Sequence, residues 1–90
     1  MKTIGHLING TLQNDTGRTQ DVYNPSTGEV SKQVALASKA TVEEAIAAAE
    51  AAFPAWRNTP TLKRARVMFR FKELLEQNSQ RIIELIGEEH

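Results

Sequence analysis

The chain is 90 residues long, with 40% hydrophobic and 24% charged residues, which is the composition of one ordinary globular domain or of a part of one. Eleven Lys and Arg residues balance eleven Asp and Glu residues, so the chain lacks the basic excess of a nucleic-acid-binding protein, and we expect no nucleic-acid partner. The chain contains no cysteine, which excludes a disulfide framework, a thiolate zinc site and a thiol nucleophile within these residues.

The apolar segments of the chain are short. None has the apolar core of a signal peptide or approaches the roughly eighteen apolar residues of a membrane span. We therefore expect a cytoplasmic protein without a membrane partner.

The first third of the chain has the pattern of short β-strands joined by turns. Asn9-Gly10 favours a two-residue type I′ turn, because both residues tolerate a positive φ, and apolar residues flank it on both sides. Residues 19–23 and the alternating segment 30–36 read as two more strands, which the sequence Asn-Pro-Ser-Thr-Gly-Glu at residues 24–29 would join. The pattern predicts two β-hairpins within residues 1–37, separated by a polar turn at residues 14–17.

Residues 41–90 have the pattern of helices. Thr41 and Glu44 have the spacing of a capping box, in which each side chain accepts a hydrogen bond from a backbone amide, so the first helix is predicted to begin at Val42. Pro54 predicts a stop or a kink near the end of this helix.

A second helix is predicted after Thr59, which would be its N-cap, with Pro60 in its first turn. This helix should run to Gln77 and break near residues 78–79. A third helical segment follows, with an apolar stripe formed by Ile82, Ile83, Leu85 and Ile86. The whole is an α+β arrangement of three or four short strands followed by two or three helices.

The second predicted helix is apolar on two sides. One face carries Val67, Met68, Phe71, Leu74 and Leu75, and a different side carries Leu62, Ala65 and Phe69. Such a helix needs two packing partners, and the second is hard to find within ninety residues.

Cations and aromatic residues alternate over residues 63–72, a pattern that superficially suggests a nucleic-acid or membrane surface. The spacing favours a solvent-exposed helix face with ion pairs, because Lys72 and Glu76 are four residues apart and Arg70 and Glu73 are three apart.

No group of residues in the chain has the pattern of a site. His6 and the sequence Glu-Glu-His at residues 88–90 share no metal-ligand spacing, and the glycines lie in turns rather than in a phosphate-binding loop. Trp56 and Phe53 are three residues apart and are interpreted as a hydrophobic anchor that closes the turn between the first two helices. We therefore assign no catalytic, cofactor-binding or metal-binding residue within these ninety residues.

Three segments, residues 6–10, 22–30 and 45–56, closely resemble the amino terminus of the NAD-dependent aldehyde dehydrogenase superfamily, and the turn at residues 24–29 is the most specific of these motifs. Residues 53–56, 67–75 and 86–90 are most similar to the CoA-acylating methylmalonate-semialdehyde dehydrogenases, especially the bacterial ones. The resemblance implies that the chain is one partial domain, the amino-terminal part of a Rossmann-type NAD domain, with β-hairpins at residues 1–37 and helices at residues 41–90.

The resemblance also implies a chemistry for the parent enzyme. A cysteine thiolate attacks the aldehyde, hydride passes to NAD, and the resulting thioester passes to CoA. Members of the family are several times longer than this chain, and their nucleophile and cofactor-binding residues lie beyond the resembled segment. We therefore expect no catalysis and no bound cofactor from this chain alone.

Two alternatives remain open from the sequence. The chain could belong to an aldehyde dehydrogenase that releases a free acid rather than a CoA thioester. It could also be a self-standing α+β interaction module that binds a partner with its two-sided helix. As a segment of an enzyme, the chain would have the remainder of the parent enzyme as its partner. The isolated chain would self-associate.

Overall fold

A computed structural model describes residues 2–14 and 17–90, and these residues form five short strands and three helices. The strands are β1 (Lys2–Ile4), β2 (His6–Ile8), β3 (Thr11–Gln13), β4 (Thr19–Tyr23) and β5 (Val30–Ala35). The helices are α1 (Lys39–Arg57), α2 (Thr61–Gln77) and α3 (Ser79–Glu89). The α+β class is confirmed. The centre of the predicted polar turn, residues 15 and 16, lies outside the described residues.

The first predicted hairpin is confirmed. Strands β2 and β3 are antiparallel, with Ile8 opposite Thr11. Asn9 and Gly10 have φ values of 51° and 74°, the two positive angles that a type I′ turn requires. The turn residues therefore set the register of this two-stranded sheet.

The second predicted hairpin is also confirmed. Strands β4 and β5 are antiparallel, with Thr19 opposite Ala35. In the connecting turn, the Asn24 carbonyl oxygen accepts a hydrogen bond from the Gly28 amide at 2.8 Å, and the Asn24 side-chain oxygen accepts one from the Ser26 amide at 2.9 Å. The side chain of Asn24 thus closes the turn that proline and glycine favour by their backbone angles.

Strand β1 was not predicted, and it changes the topology of the sheet. It pairs in parallel with β5, so the three-stranded sheet has the order β1-β5-β4. Gly5 then joins β1 to β2 where the chain passes close to residues 13 and 14. A Cβ atom at Gly5 would collide with the Asn14 side chain and the Gln13 carbonyl oxygen, so this close approach requires glycine.

The predicted start of the first helix is wrong. Helix α1 begins at Lys39, and Ser38 is its N-cap, because the Ser38 Oγ accepts a hydrogen bond from the Thr41 amide at 3.1 Å. Thr41 therefore lies inside α1 and is not its N-cap. The Glu44 carboxylate accepts a hydrogen bond from the Gln13 side-chain amide at 3.0 Å. Two good helix formers, Lys39 and Ala40, allow the helix to start one turn earlier.

Pro54 does not stop α1, which continues to Arg57. The Pro54 carbonyl oxygen still accepts a hydrogen bond from the Asn58 amide at 3.1 Å. A proline in the last turn removes one amide donor but leaves its own carbonyl available, so the helix ends one turn later than predicted.

The predicted N-cap of the second helix is also wrong. Helix α2 begins at Thr61, Pro60 occupies the N-cap position, and no side chain caps the helix. The Thr59 hydroxyl donates to the Ala55 carbonyl oxygen at 2.8 Å, so Thr59 belongs to the end of α1. The predicted end at Gln77 is confirmed, because Asn78 leaves helical geometry (φ −111°, ψ 15°) and separates α2 from α3.

Little of the described chain is buried. Ile8 and Ala35, at 7% and 4% exposure, are the buried apolar residues among those described, and both belong to the strands. No residue of the three helices is buried. The molecule is elongated, with extents of 48 × 34 × 16 Å, so the helices extend away from the sheet rather than enclosing a core.

The cap of α1 gives a direct test of where this helix starts. Replacing Ser38 by Ala removes the acceptor for the Thr41 amide and should lower the stability of α1 by about 1 kcal/mol, whereas Ser38→Asp keeps an acceptor and should preserve it. Denaturant unfolding followed by far-ultraviolet circular dichroism measures the difference. A larger loss from Thr41→Ala than from Ser38→Ala would contradict this assignment and restore the cap at Thr41.

Candidate functional site: an exposed apolar helical surface

Large apolar side chains on α2 and α3 are exposed. We call this set the helical apolar surface, and it consists of Leu62, Val67, Met68, Phe69, Phe71, Leu74, Leu75, Ile83 and Ile86. Their exposures range from 41% at Leu74 to 69% at Phe69. A folded monomer rarely exposes so many neighbouring large apolar residues, so this surface is the strongest candidate for contact with another part of a protein.

The two-sided character of α2 persists in the structure. Phe71 and Leu75 on one face, and Leu62 and Phe69 on the other, are all exposed. The two packing partners that the pattern requires are therefore absent from the described residues. Exposure on both sides means that a covering surface must enclose the helix rather than touch it along one stripe.

The aromatic residues at the end of α1 also stay accessible. Trp56 is 42% exposed, and Phe53 lies under the guanidinium of Arg57, whose carbon is 5.6 Å from the ring centroid. Neither ring is enclosed by the described residues. The anchor between the first two helices therefore stays a prediction.

The polar side of α2 carries the predicted ion pairs. Arg70 Nη1 is 3.0 Å from Glu73 Oε2, and Lys72 Nζ is 3.2 Å from Glu76 Oε1. All four side chains are more than half exposed, so the pairs contribute little stability. The alternation of cations and aromatic residues thus arises from a charged face beside apolar ones, as predicted.

An ion-pair cluster connects the sheet to the end of α3. Lys32 Nζ, on the central strand β5, lies 3.1 Å from Glu88 Oε2 and 3.1 Å from Glu89 Oε1. Hydrogen bonds to Glu88 and then to Glu89 raise the pKa of the Lys32 ammonium above 10.5. No sequence pattern indicated this cluster, because the two glutamates have the residue type of metal ligands and Lys32 reads only as a strand residue.

The residues considered as metal ligands do not come together. His6 lies in β2, and His90 follows α3. No group of three or more His, Cys, Asp or Glu side chains could hold a metal ion within residues 2–14 and 17–90. In the same residues, no helix has the length and apolar character needed to cross a membrane.

A shallow hollow of about 270 Å³ lies between the first hairpin and α1. Its walls are Leu7, Ile8 and Asn9 on the hairpin side and four alanines of α1 on the other: Ala45, Ala48, Ala49 and Ala52. These walls carry no titratable side chain, so the hollow offers a packing surface and no acid, base or nucleophile.

The chain matches the model of the aldehyde dehydrogenase family over residues 12–90. The chain belongs to this family. It is 61% identical, over all 90 residues, to the malonate-semialdehyde dehydrogenase of Pseudomonas aeruginosa, and 36% identical over 87 residues to malonate-semialdehyde dehydrogenase 2 of Geobacillus kaustophilus. In each case the match spans 18% of the relative's length.

Solved structures of aldehyde dehydrogenases contain the same arrangement of strands and helices. The methylmalonate-semialdehyde dehydrogenase of Oceanimonas doudoroffii is 68% identical and superposes with a TM-score of 0.97. A candidate methylmalonate-semialdehyde dehydrogenase of Sinorhizobium meliloti, crystallised with NAD, is 41% identical and has a TM-score of 0.95. Each match covers this whole chain and 18% of the other, so the fold described above is that of an amino-terminal aldehyde dehydrogenase segment.

The Lys32 cluster predicts a pH dependence. Because the pKa of Lys32 is raised in the folded chain, the stabilisation is fully present below pH 10.5 and is lost as the pH rises through the raised value. Lys32→Met should therefore lower the stability at neutral pH, and the difference from the unaltered chain should shrink at higher pH.

Denaturation followed by circular dichroism at several pH values checks this expectation. The matched control is Lys39→Met, because Lys39 is 91% exposed and its pair with Glu43 is 3.9 Å long. Equal effects of the two substitutions at neutral pH would show that the Lys32 cluster does not hold α3 to the sheet.

The helical apolar surface predicts the behaviour of the isolated chain. Each large apolar side chain left exposed forgoes about 1.5–3 kcal/mol, and several such losses equal the whole stability of about 5–15 kcal/mol that folded domains have. The isolated chain should bind the dye ANS and self-associate at tens of micromolar, which fluorescence and light scattering measure. A monomer that binds no ANS and melts cooperatively would contradict this prediction and favour the independent interaction module.

Proposed function

We propose that the chain is the amino-terminal part of an NAD-dependent dehydrogenase that oxidises malonate semialdehyde or its methyl homologue and transfers the acyl group to CoA. The observation that carries the proposal is the 61% identity with the Pseudomonas malonate-semialdehyde dehydrogenase over all 90 residues. The TM-score of 0.97 with the Oceanimonas enzyme, at 68% identity, supports it.

In this proposal the segment has a structural role in the cofactor domain. The hairpins form the part before Ser38, the helices form the part after it, and the helical apolar surface is covered by the remainder of the enzyme. The chain has no cysteine, so the thiolate that attacks the aldehyde comes from that remainder. NAD is proposed as the hydride acceptor, on the strength of the family and of the NAD bound to the Sinorhizobium protein. A cytoplasmic location is part of the same proposal.

CoA is proposed as the acyl acceptor because of the similarity of residues 67–75 to the CoA-acylating members of the family. Attack by CoA on the enzyme thioester conserves the energy of the thioester, whereas attack by water releases a free acid. The residues that select between the two acceptors lie outside this segment. The hydrolytic aldehyde dehydrogenase therefore remains the alternative, and an assay of the full-length parent enzyme with and without CoA separates the two.

A segment exchange tests the proposed function. This chain replaces the corresponding segment of the Pseudomonas malonate-semialdehyde dehydrogenase, and NADH formation is measured with malonate semialdehyde, NAD and CoA. The chimera should retain activity within about tenfold of the parent, a change of about 1.4 kcal/mol in the barrier, because no residue of the segment is assigned to the chemistry. The isolated chain should form no NADH.

Two substitutions on α2 serve as matched variants of the chimera. Leu74→Asp places a charge on the helical apolar surface and should abolish soluble, active enzyme, whereas Gln77→Asp at the end of α2 should leave activity unchanged. A soluble chimera that forms no NADH would contradict the proposal. In the full-length parent enzyme of this chain, NADH formation that needs no CoA would favour the hydrolytic alternative.

A further inference from the structure

The positive charges of the chain are concentrated around the start of α2. Residues 51–72 contain six of the eleven Lys and Arg residues and none of the eleven Asp and Glu residues. The six are Arg57, Lys63, Arg64, Arg66, Arg70 and Lys72. Only the last two pair with a nearby carboxylate of α2, on Glu73 and Glu76, so the positive charge at the start of α2 is not balanced by α2 itself.

Arg64 differs from the other cations of this group in its surroundings. Its side chain is half-buried, and its Nε is buried without a hydrogen-bond partner among the described residues. Its Nη2 lies 3.5 Å from the Thr61 Oγ1, a distance at the long limit of a hydrogen bond. A buried guanidinium donor without an acceptor is costly, since it has lost water and gained nothing in exchange.

The start of α2 adds to this imbalance. The helix has no acidic residue in its first turn and no side-chain cap, and Arg64 lies in its first turn. The positive end of the helix dipole and the guanidinium therefore repel each other. One carboxylate placed beside Arg64 would accept hydrogen bonds from the terminal nitrogens of the guanidinium and neutralise the charge at the helix start.

We propose that Arg64 forms a buried ion pair with a carboxylate of the polypeptide that covers α2, namely the part of the enzyme beyond these ninety residues. This inference rests on the proposed function. The relatives are more than five times as long as the match, since it spans 18% of their length, and the helical apolar surface lies on the same helix as Arg64. The chain that covers the apolar residues of α2 therefore also reaches the guanidinium, and the ion pair fixes the orientation of that contact.

The active chimera described above is the protein in which this ion pair can be tested. Arg64→Gln should lower the temperature of half-inactivation by about 5 °C, because it leaves a buried carboxylate without its cation. The matched control is Lys63→Gln, which removes the neighbouring exposed cation and should shift the temperature by less than about 1 °C. Thr61→Val removes the local contact of Arg64 and should have an equally small effect.

Measurements at several pH values identify the acceptor as a carboxylate. The difference between the Arg64→Gln variant and the unaltered chimera should shrink as the pH falls to about 4, where carboxylates become protonated. A difference that does not change with pH would indicate a backbone carbonyl and overturn the ion pair.

Two other outcomes also overturn the inference. Equal effects of Arg64→Gln and Lys63→Gln would show that Arg64 has no special partner, and a loss in Thr61→Val as large as that in Arg64→Gln would place its role within α2. Both outcomes leave the proposed function intact, because the chimera is active in each. An inactive unaltered chimera contradicts the proposed function itself, and this inference with it.

Discussion

The exposed apolar area of the helices is the constraint on which the other properties of the chain depend. Phe69 and Leu74 project from different sides of α2, and the described residues cover neither. The free energy that burial supplies to a folded domain is therefore largely unrealised here, since Ile8 and Ala35 are the two buried apolar residues in the part of the chain that the structure describes. Within the enzyme that we propose, the same side chains become the interior of an interface.

The strands hold together by a different kind of interaction. Both hairpins close through local turns, and β5 joins β1 and β4 through backbone hydrogen bonds. These contacts need little apolar area, because the turn residues fix the register of each pair. Lys32 then links the central strand to the end of α3 through Glu88 and Glu89. The sheet is thus the ordered base from which the helices extend, with polar contacts where a larger domain would use a core.

The proposed function rests on membership of the family rather than on a catalytic group in the described residues. The hollow between the first hairpin and α1 is lined by apolar side chains and Asn9, while His6 lies in β2 and His90 follows α3. In the enzyme that we propose, the segment contributes shape and surface. In the proposal, the remainder of the polypeptide encloses the helical apolar surface and pairs with Arg64. The segment therefore affects catalysis through the stability of the cofactor domain.

The sequence alone determined the features that depend on neighbouring residues. The turn at Asn9 and Gly10, the second hairpin and the break at Asn78 follow from backbone preferences within a few residues, and they were predicted correctly. The two apolar sides of α2 followed from helical periodicity, and with them came the candidate surface. The family resemblance was equally readable, because it rests on short contiguous motifs.

Only the tertiary structure decided the features that join distant residues. The parallel pairing of β1 with β5 and the contact of Lys32 with α3 join residues that are far apart in the sequence. A pattern of neighbouring residues cannot predict such contacts. Both Ser38 and Thr41 are residue types that can cap a helix, and the sequence alone did not decide between them. The extended backbone angles of Ser38 identify it as the N-cap of α1. The unpartnered Nε of Arg64 likewise became visible only when its surroundings were known, because burial is a property of the folded chain and not of the residue type.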